Sequence, residues 1–454
     1  MAHEPKSRSF PVFRLVAAPR KSRLEQMLSP LADVRAGEGA GVLLLAFNVF
    51  VLLGTYYILK TVRESLILTE GGAEVKAYSS AGQAILLLFL VPAYGALAAR
   101  VSRIRLISWV TLFFVSHLLI FYLFGMRNFH AGVPFFLWVG IFNVFVIAQF
   151  WAFANDLYTE PQGKRLFPIV GLGSSIGAWV GAEASTGLVK QFGPYPLMLA
   201  AAVLLVVFVF LMRLRHRRES SSVDRERRAE AEMPVGKEGA FALIFHDRYL
   251  LLIAVLIVLL NLVNSTGEFL LSKLVVSESV RVAGESIAAR QRFVGAFYGQ
   301  YFSWVNLLGL LLQMFLVSRI FHYIGVRGAL FILPAIAFGG YSTLLAYPVL
   351  RVVRGIKILE NSVDYSIQNT ARQALFLPTS RTAKYKAKTA IDTFFMRAGD
   401  VLQGALVYVG TVLAFTSSMF AAVNVFLTLL WLVTVAAIFR EHKRRTAPEA
   451  VPAG

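Results

Sequence analysis

The chain has no cysteine among its 454 residues. That absence excludes disulfides, thiolate zinc sites, iron–sulfur clusters and cysteine nucleophiles. Acidic residues are also scarce. Only 26 Asp and Glu face 45 Lys and Arg, for a net charge of +19, and charged residues together make up 16%. Soluble domains run at roughly a quarter charged and under half apolar, whereas this chain is 57% hydrophobic with mean hydropathy +0.64. A water-soluble core cannot hide that much apolar surface. The roughly three soluble domains that length alone would suggest are therefore excluded. The 7 histidines are scattered without metal-ligand spacing and no H-E-x-x-H motif occurs. Neither a metal, a cofactor nor an enzymatic reaction is indicated. The first 40 residues carry no apolar segment with a cleavage site, so no signal peptide is expected. The pI near 10.2 would suit a nucleic-acid partner, but the apolar runs give the basic residues another use and no nucleic acid is expected.

Those runs are long and continuous, as membrane-crossing helices require; strands of an outer-membrane barrel would be short and alternating. They fall at about 41–69, 80–99, 105–125, 132–155, 166–190 and 194–213, then 249–272, 293–318, 326–346, 347–377, 387–413 and 416–439. Basic residues accumulate on the cytoplasmic side of a bilayer. With the N-terminus inside, 31 of the 45 Lys and Arg fall on that face and 7 on the other, which predicts two cytoplasmic termini. The outer 7 include Lys76, read as a loop residue. The expected organisation is a cytoplasmic tail (1–40), a six-helix half (41–213), a basic cytoplasmic linker (214–248), a second six-helix half (249–439) and a cytoplasmic tail (440–454). The fold class is therefore an all-α membrane protein of about twelve transmembrane helices. Six plus six around a linker resembles the major facilitator transporters, whose halves are related repeats. The loop Gly95-Ala96-Leu97-Ala98-Ala99-Arg100-Val101-Ser102-Arg103 is similar to their G-x-L-x-D-R-x-G-R motif, with Ala99 at the acidic position and Ser102 at the second glycine.

An ionisable group within a membrane is costly and normally faces a cavity or a partner. Tyr56, Lys60 and Arg63 share one face of span 1, with Glu64 placed to pair with Lys60. Lys357, Asn361, Asp364, Gln368 and Arg372 fall at helical spacing on one stripe of span 10, which predicts the lining of a water-filled path; Glu360 lies on another face. Arg397 and Asp400 are neighbours in span 11, and Asn264 and Glu268 in span 7. Glu183 stands alone in span 5, a candidate for proton coupling or for pairing with another helix. Gly173, Gly177 and Gly181 form a stripe suited to close helix packing.

Four segments resemble the nucleotide transporters (ATP/ADP translocases) of plastids and intracellular bacteria, relatives of the major facilitators. They are YYILKTVRESLIL from Tyr56, FWAFANDLYTEPQGKRLFPIVGLGSSIG from Phe150, NLVNSTGEF from Asn261 and YKAKTAID from Tyr385, in order along most of the chain. Arg63 stands where that family has lysine, and Val139 lies near an expected acid. Asn264 and Glu268 stand where the family has Glu and Lys, Gln373 where it has Glu, and Asp400 where it has Lys. The resemblance implies ATP:ADP-type exchange by alternating access in a bacterial inner membrane, with a small anionic substrate such as a nucleotide. Lys60, Arg63, Asn264, Lys357, Asn361, Asp364, Gln368, Arg372 and Arg397 would bind the substrate, and Glu183, Glu268 and Asp400 would balance charge or carry protons. The alternatives are a proton-coupled carrier or exporter of another solute, and a non-transporting membrane scaffold.

Overall fold

The computed structural model describes residues 21–98, 100–127, 129–217, 239–380 and 382–446. The linker therefore lies outside the described residues at 218–238, as do the tails at 1–20 and 447–454 and Ala99 of the loop motif. Among the described residues, twelve helices form the body. They are α1 Gly39–Glu70, α2 Gly72–Ala98, α3 Arg103–Met126, α4 (132–157), α5 Glu160–Phe192 and α6 Pro194–Arg217, then α7 Arg248–Ala283, α8 Ile287–Phe315, α9 Ile332–Ala346, α10 (350–374), α11 (383–412) and α12 Ser417–Thr446. The described residues contain no strand.

Eight of these helices, α1–α7 and α12, are long and apolar enough to cross a membrane on their own. The other four fall short for distinct reasons. α8 runs into the helical segment Val317–Ala329 at a 77° bend, and that segment is itself broken at Gly325, whose φ of 66° lies in the left-handed region. α9 is apolar but has only 15 residues. α10 and α11 are interrupted by the charged residues that sequence reading placed in spans 10 and 11. Such helices enter a bilayer only where neighbours cover their polar faces.

Each half is built around its first helix: α1 packs on α5 and α6, and α7 on α11 and α12. Across the junction, α5 and α1 meet α8 on one seam, while α11 and α7 meet α2 on the other. Adding six to each helix number interchanges the seams, as two related repeats about a pseudo-two-fold axis require. The glycine stripe does its work inside the first half. A Cβ on Gly173 would lie 2.4 Å from the carbonyl oxygen of Ala46, and on Gly177 2.3 Å from that of Phe50. α5 thus lies backbone to backbone on α1. Gly173-Ser174-Ser175-Ile176-Gly177 also fits the G-x-S-x-G pattern of a hydrolase nucleophile. That chemistry needs a strand-to-helix elbow, and here the pentad is continuous helix.

The segment before α1 is strapped to the first half at the end of the bundle that carries the termini. The Glu25 carboxylate caps Ser22 and accepts the Gly37 N–H at 2.6 Å, and Val34 is fully buried. Arg165, at the start of α5, donates to the Asp33 carbonyl and pairs with Glu38 at 2.9 Å. Burial pushes the Glu38 carboxyl up, but the Arg165 guanidinium and the Arg35 backbone N–H together hold it below its usual value.

Two outcomes follow. Gly177→Val drives a side chain into the α1 backbone and is expected to destabilise by about 1–3 kcal/mol, read as a lowered unfolding midpoint in detergent, whereas Gly171→Ala, with open space around it, is near neutral. A carboxylate held low stabilises above its unfolded pKa and loses that contribution as pH falls through the folded value. The anisotropy of a dye on Met27→Cys, otherwise cysteine-free, should therefore stay high from neutral pH until below about pH 4, and be low throughout in Glu38→Gln.

Candidate functional site

At mid-depth, where the two halves face each other, lies a cavity of ≈ 290 Å³. Small-molecule sites run from roughly 300 to 1,000 Å³, so a compact polar ligand fits. The first half lines it with Tyr56, Lys60, Arg63 and Glu64 from α1, Lys76, Ser80 and Gln83 from α2, and Phe136 and Asn143 from α4. The second half adds Asn261, Asn264, Ser265 and Glu268 from α7, Phe302 from α8, Asn361 and Tyr365 from α10, and Arg397, Asp400 and Gln403 from α11.

The charges are arranged in pairs. Glu64 is buried, accepts Arg63 at 2.5 Å and forms an ion pair with Lys76 at 2.7 Å. Arg63 also lies over the Phe136 ring, 4.7 Å from its centre. Arg397 pairs with Asp400 at 3.2 Å, whose other oxygen accepts Asn261 at 2.8 Å. Glu268 accepts Tyr301 Oη at 2.7 Å and Asn361 at 2.8 Å. The lining thus holds four cations and three carboxylates, one positive charge in excess. Among the described residues, Lys60 is the lining cation without a carboxylate within ion-pair distance. Its amine sits 4.2 Å above the Phe302 ring and 5.3 Å from that of Tyr57. The pairing of Lys60 with Glu64 expected from their spacing is not the one formed, because the start of α2 brings Lys76 to Glu64 instead.

Of the residues singled out by sequence, Lys60, Arg63, Asn264, Asn361, Arg397, Glu268 and Asp400 line this cavity. Lys357 stands behind it, fully buried, with its amine on Asn264. Asp364, Gln368 and Arg372 lie outside the lining. For Gln368 and Arg372 the reason is a π-helical turn at Asp364–Gln368. It adds one residue to a turn and rotates everything after it by roughly 100°, so the five-residue stripe is cut. Asn361 and Tyr365 reach the cavity, Gln368 is buried in the half, and Arg372 bonds Asn369 at 3.2 Å near the terminus-bearing end. α4 carries a matching π turn at Asn143–Ile147, and Asn143 lines the cavity there. Glu183 is exposed at the α5/α8 seam, where it accepts Ser303 at 2.6 Å. It does not stand alone and it does not line the cavity.

Lys76 is the lining cation that sequence reading missed. The α1–α2 reversal takes only Gly71 and Gly72, with φ of 78° at Gly72, so α2 begins eight residues before the apolar run suggests. The signal was present in that Gly-Gly pair and in the acid twelve residues earlier.

The halves are joined at one end and parted at the other. Ser65 donates to the Gln291 carbonyl at 2.7 Å, Lys76 to Ser272 at 2.9 Å, and Lys273 pairs with Glu74 at 3.8 Å, all away from the termini. Toward the termini a second cavity of ≈ 310 Å³ separates Leu53 and Ser174 from Gln313 and Asn369.

No family model matches the chain. It is 23% identical over 370 residues to ADP,ATP carrier protein 1 of Chlamydia muridarum, covering 68% of each chain. It is 22% identical over 347 residues to the Chlamydia pneumoniae protein of the same name, covering 65% of this chain and 64% of that one. With the Chlamydia trachomatis protein it shares 23% over 336 residues, 61% of that chain. The match thus spans about two thirds of the length of these relatives. Among solved structures, the nucleoside transporter NupG superposes with TM-score 0.62 at 13% identity, covering 89% of this chain and 99% of that one. The peptide transporter POT gives 0.63 at 12%, covering 93% and 99%. A bacterial homologue of the iron transporter ferroportin in an inward-facing state gives 0.61 at 14%, covering 88% and 98%. The architecture is that of a multi-pass secondary transporter of the major-facilitator type. Within that class the chain resembles the nucleotide carriers, as the four segments indicated.

The Glu64 triad has a measurable signature. Breaking a buried ion pair costs about 3–5 kcal/mol, so Glu64→Gln, which leaves Arg63 and Lys76 facing each other, should lower the unfolding midpoint sharply. Adding Lys76→Met should restore much of the loss; simple additivity of the two effects would show that the pair is not coupled.

Proposed function

We propose that the chain is an alternating-access carrier of phosphorylated anions of the nucleotide class, working by exchange in a bacterial inner membrane with both termini in the cytoplasm. The observation that carries this reading is the cavity at the junction of the two repeats, with its surplus positive charge and its unpaired Lys60. A phosphate group entering there meets Lys60 first. Arg63, Lys76 and Arg397 complete a cationic ring, and guanidinium binds phosphate oxygens in pairs. Glu64 and Asp400 hold those cations in the empty state, and Glu268 faces Lys357 behind them, so the site stays ordered without its ligand. Asn261, Asn264, Asn361 and Gln403 offer amides to the uncharged part of the substrate. Lys357 positions Asn264 from behind rather than touching substrate.

The likeness to ADP,ATP carriers supports the nucleotide as the class of anion. The excess of basic residues on the face that carries the termini supports the orientation. With the termini inside, the parted end opens to the cytoplasm and the joined end is the outer gate. Transport would close α5 and α10 over the second cavity and release Lys76 and Lys273 from their partners across the junction. The halves 41–213 and 249–439 would rock as units, with the linker spanning them. The lipid bilayer is the remaining partner, and neither cofactor nor chemical conversion enters the cycle.

The test is counterflow in proteoliposomes preloaded with ADP. Labelled ATP should enter only against internal nucleotide. Lys60→Ala should slow uptake roughly 10- to 100-fold, the worth of one charge-assisted hydrogen bond, with an unchanged unfolding midpoint. Folded native protein that shows no counterflow of any nucleotide overturns the reading.

A further inference from the structure

Behind the cavity, in the second half, lies a group of charges that anion exchange does not use. Lys357 and Glu360, one turn apart on α10, are 0% and 1% exposed. Glu360 Oε2 accepts Lys357 Nζ at 3.0 Å and Tyr341 Oη at 2.9 Å, but Oε1 has no hydrogen-bond partner. Lys357 donates in addition to the Asn264 carbonyl at 3.2 Å, and its amine lies 3.8 Å from Glu268 Oε1.

The groups facing this cluster are few. α7 supplies Asn264 and Glu268, and α9 supplies Tyr341. From α8 comes Tyr301, whose hydroxyl sits on Glu268. From α12 comes Asn424, which is buried and spends its amide N–H on the Val263 carbonyl. Among the described residues, Lys357 is the ammonium at ion-pair distance from Glu360, it is shared with Glu268, and no donor reaches Glu360 Oε1. A buried charge without a partner is strongly unfavourable. A proton on that oxygen neutralises the carboxylate. The other acids weighed for this role differ. Glu183 is exposed, and Asp400 has Asn261, Ser265 and Arg397 shared over its two oxygens.

We propose that Glu360 is a proton-binding site coupled to anion transport, in which protonation of Oε1 turns Lys357 from Glu360 toward Glu268 and the cavity. The inference rests on the carrier reading above and adds a co-transported ion to it. The proton leaves a hydronium ion of the cavity water, where one O–H bond breaks as the Glu360 Oε1–H bond forms, and the reverse transfer returns it to water when the carrier has reversed; Glu268 and Lys357 lie between the cavity and Glu360. No other bond forms or breaks. With Glu360 neutral, the charge of Lys357 faces Glu268 alone and the cavity gains one positive charge, which suits an anion arriving with the proton.

Two measurements test this, and the first needs no substrate. Infrared difference spectra of the native protein in vesicles, taken on acidification, should show the carbonyl stretch of a protonated carboxyl. The band should vanish in Glu360→Gln and persist in Glu183→Gln. If Glu360→Gln does not fold, Tyr341→Phe removes one donor from the same carboxylate and should move the pH at which the band appears. A band that Glu360→Gln or Tyr341→Phe leaves unaltered overturns the proposal. The second is nucleotide uptake under a proton gradient. One proton per substrate lets one pH unit support about tenfold further accumulation, and Glu360→Gln should transport without that response. Native uptake indifferent to the gradient overturns the coupling. Absence of nucleotide uptake together with a band assigned to Glu360 leaves the proton site standing and refutes the carrier reading alone.

Discussion

A charge in a low-dielectric interior needs an opposite charge or water beside it, and this chain places five cations and four carboxylates where neither comes free. They solve the problem jointly. Glu64 holds Arg63 and Lys76, Asp400 holds Arg397, and Glu360 with Glu268 holds Lys357. Where the partners come from different helices, the ion pairs also fix how those helices meet. Glu64 to Lys76 ties α1 to α2, and Lys357 to Glu268 ties α10 to α7. What remains is Lys60 on an aromatic ring. A cation resting on a ring face holds a weaker partner than a carboxylate, so it is the charge an incoming anion displaces most readily.

The two seams put this cluster between the two halves. α8 against α1 and α5, and α2 against α7 and α11, form interfaces of the same kind on opposite sides. The backbone contact of α5 on α1 keeps the first half rigid. Hydrogen bonds across the junction sit toward one end, while the other end opens into the second cavity. Closing that cavity and parting the opposite end exchanges the access of one central site, the motion expected of repeats related by a pseudo-two-fold axis. Tyr365 lines both cavities and lies in the path between them. It follows Asn361 by four residues, on the same face of α10.

Much of this was legible from the residues. The apolar runs give the helices, and charged side chains inside them are rare enough to be informative. Lys60, Arg63, Glu268, Arg397 and Asp400 were all found that way. Two features were hidden for physical reasons. Lys76 sits beyond a tight Gly-Gly reversal, so a polar stretch that reads as a loop is the first turn of α2. The stripe from Lys357 to Arg372 assumes 3.6 residues per turn, and a single π turn at Asp364 breaks the periodicity with no mark in composition. Glu360, discounted because it lies off the stripe, is buried against Lys357 for that same reason: it faces the core of its half, not the cavity. Eight helices pass as membrane spans on composition alone, and the polar α10 and α11 do not, because of the charges they carry; of these Arg397 and Asp400 line the cavity and Lys357 and Glu360 lie behind it.

The central claim is that the surplus positive charge at the junction of the halves is an anion site. An experimental structure determined with saturating ATP tests it most directly. The account predicts phosphate density bounded by Lys60, Arg63 and Arg397, with Lys60 lifted from the Phe302 ring. Nucleotide density away from these three residues, or a cavity unchanged with nucleotide bound elsewhere on the protein, would contradict it.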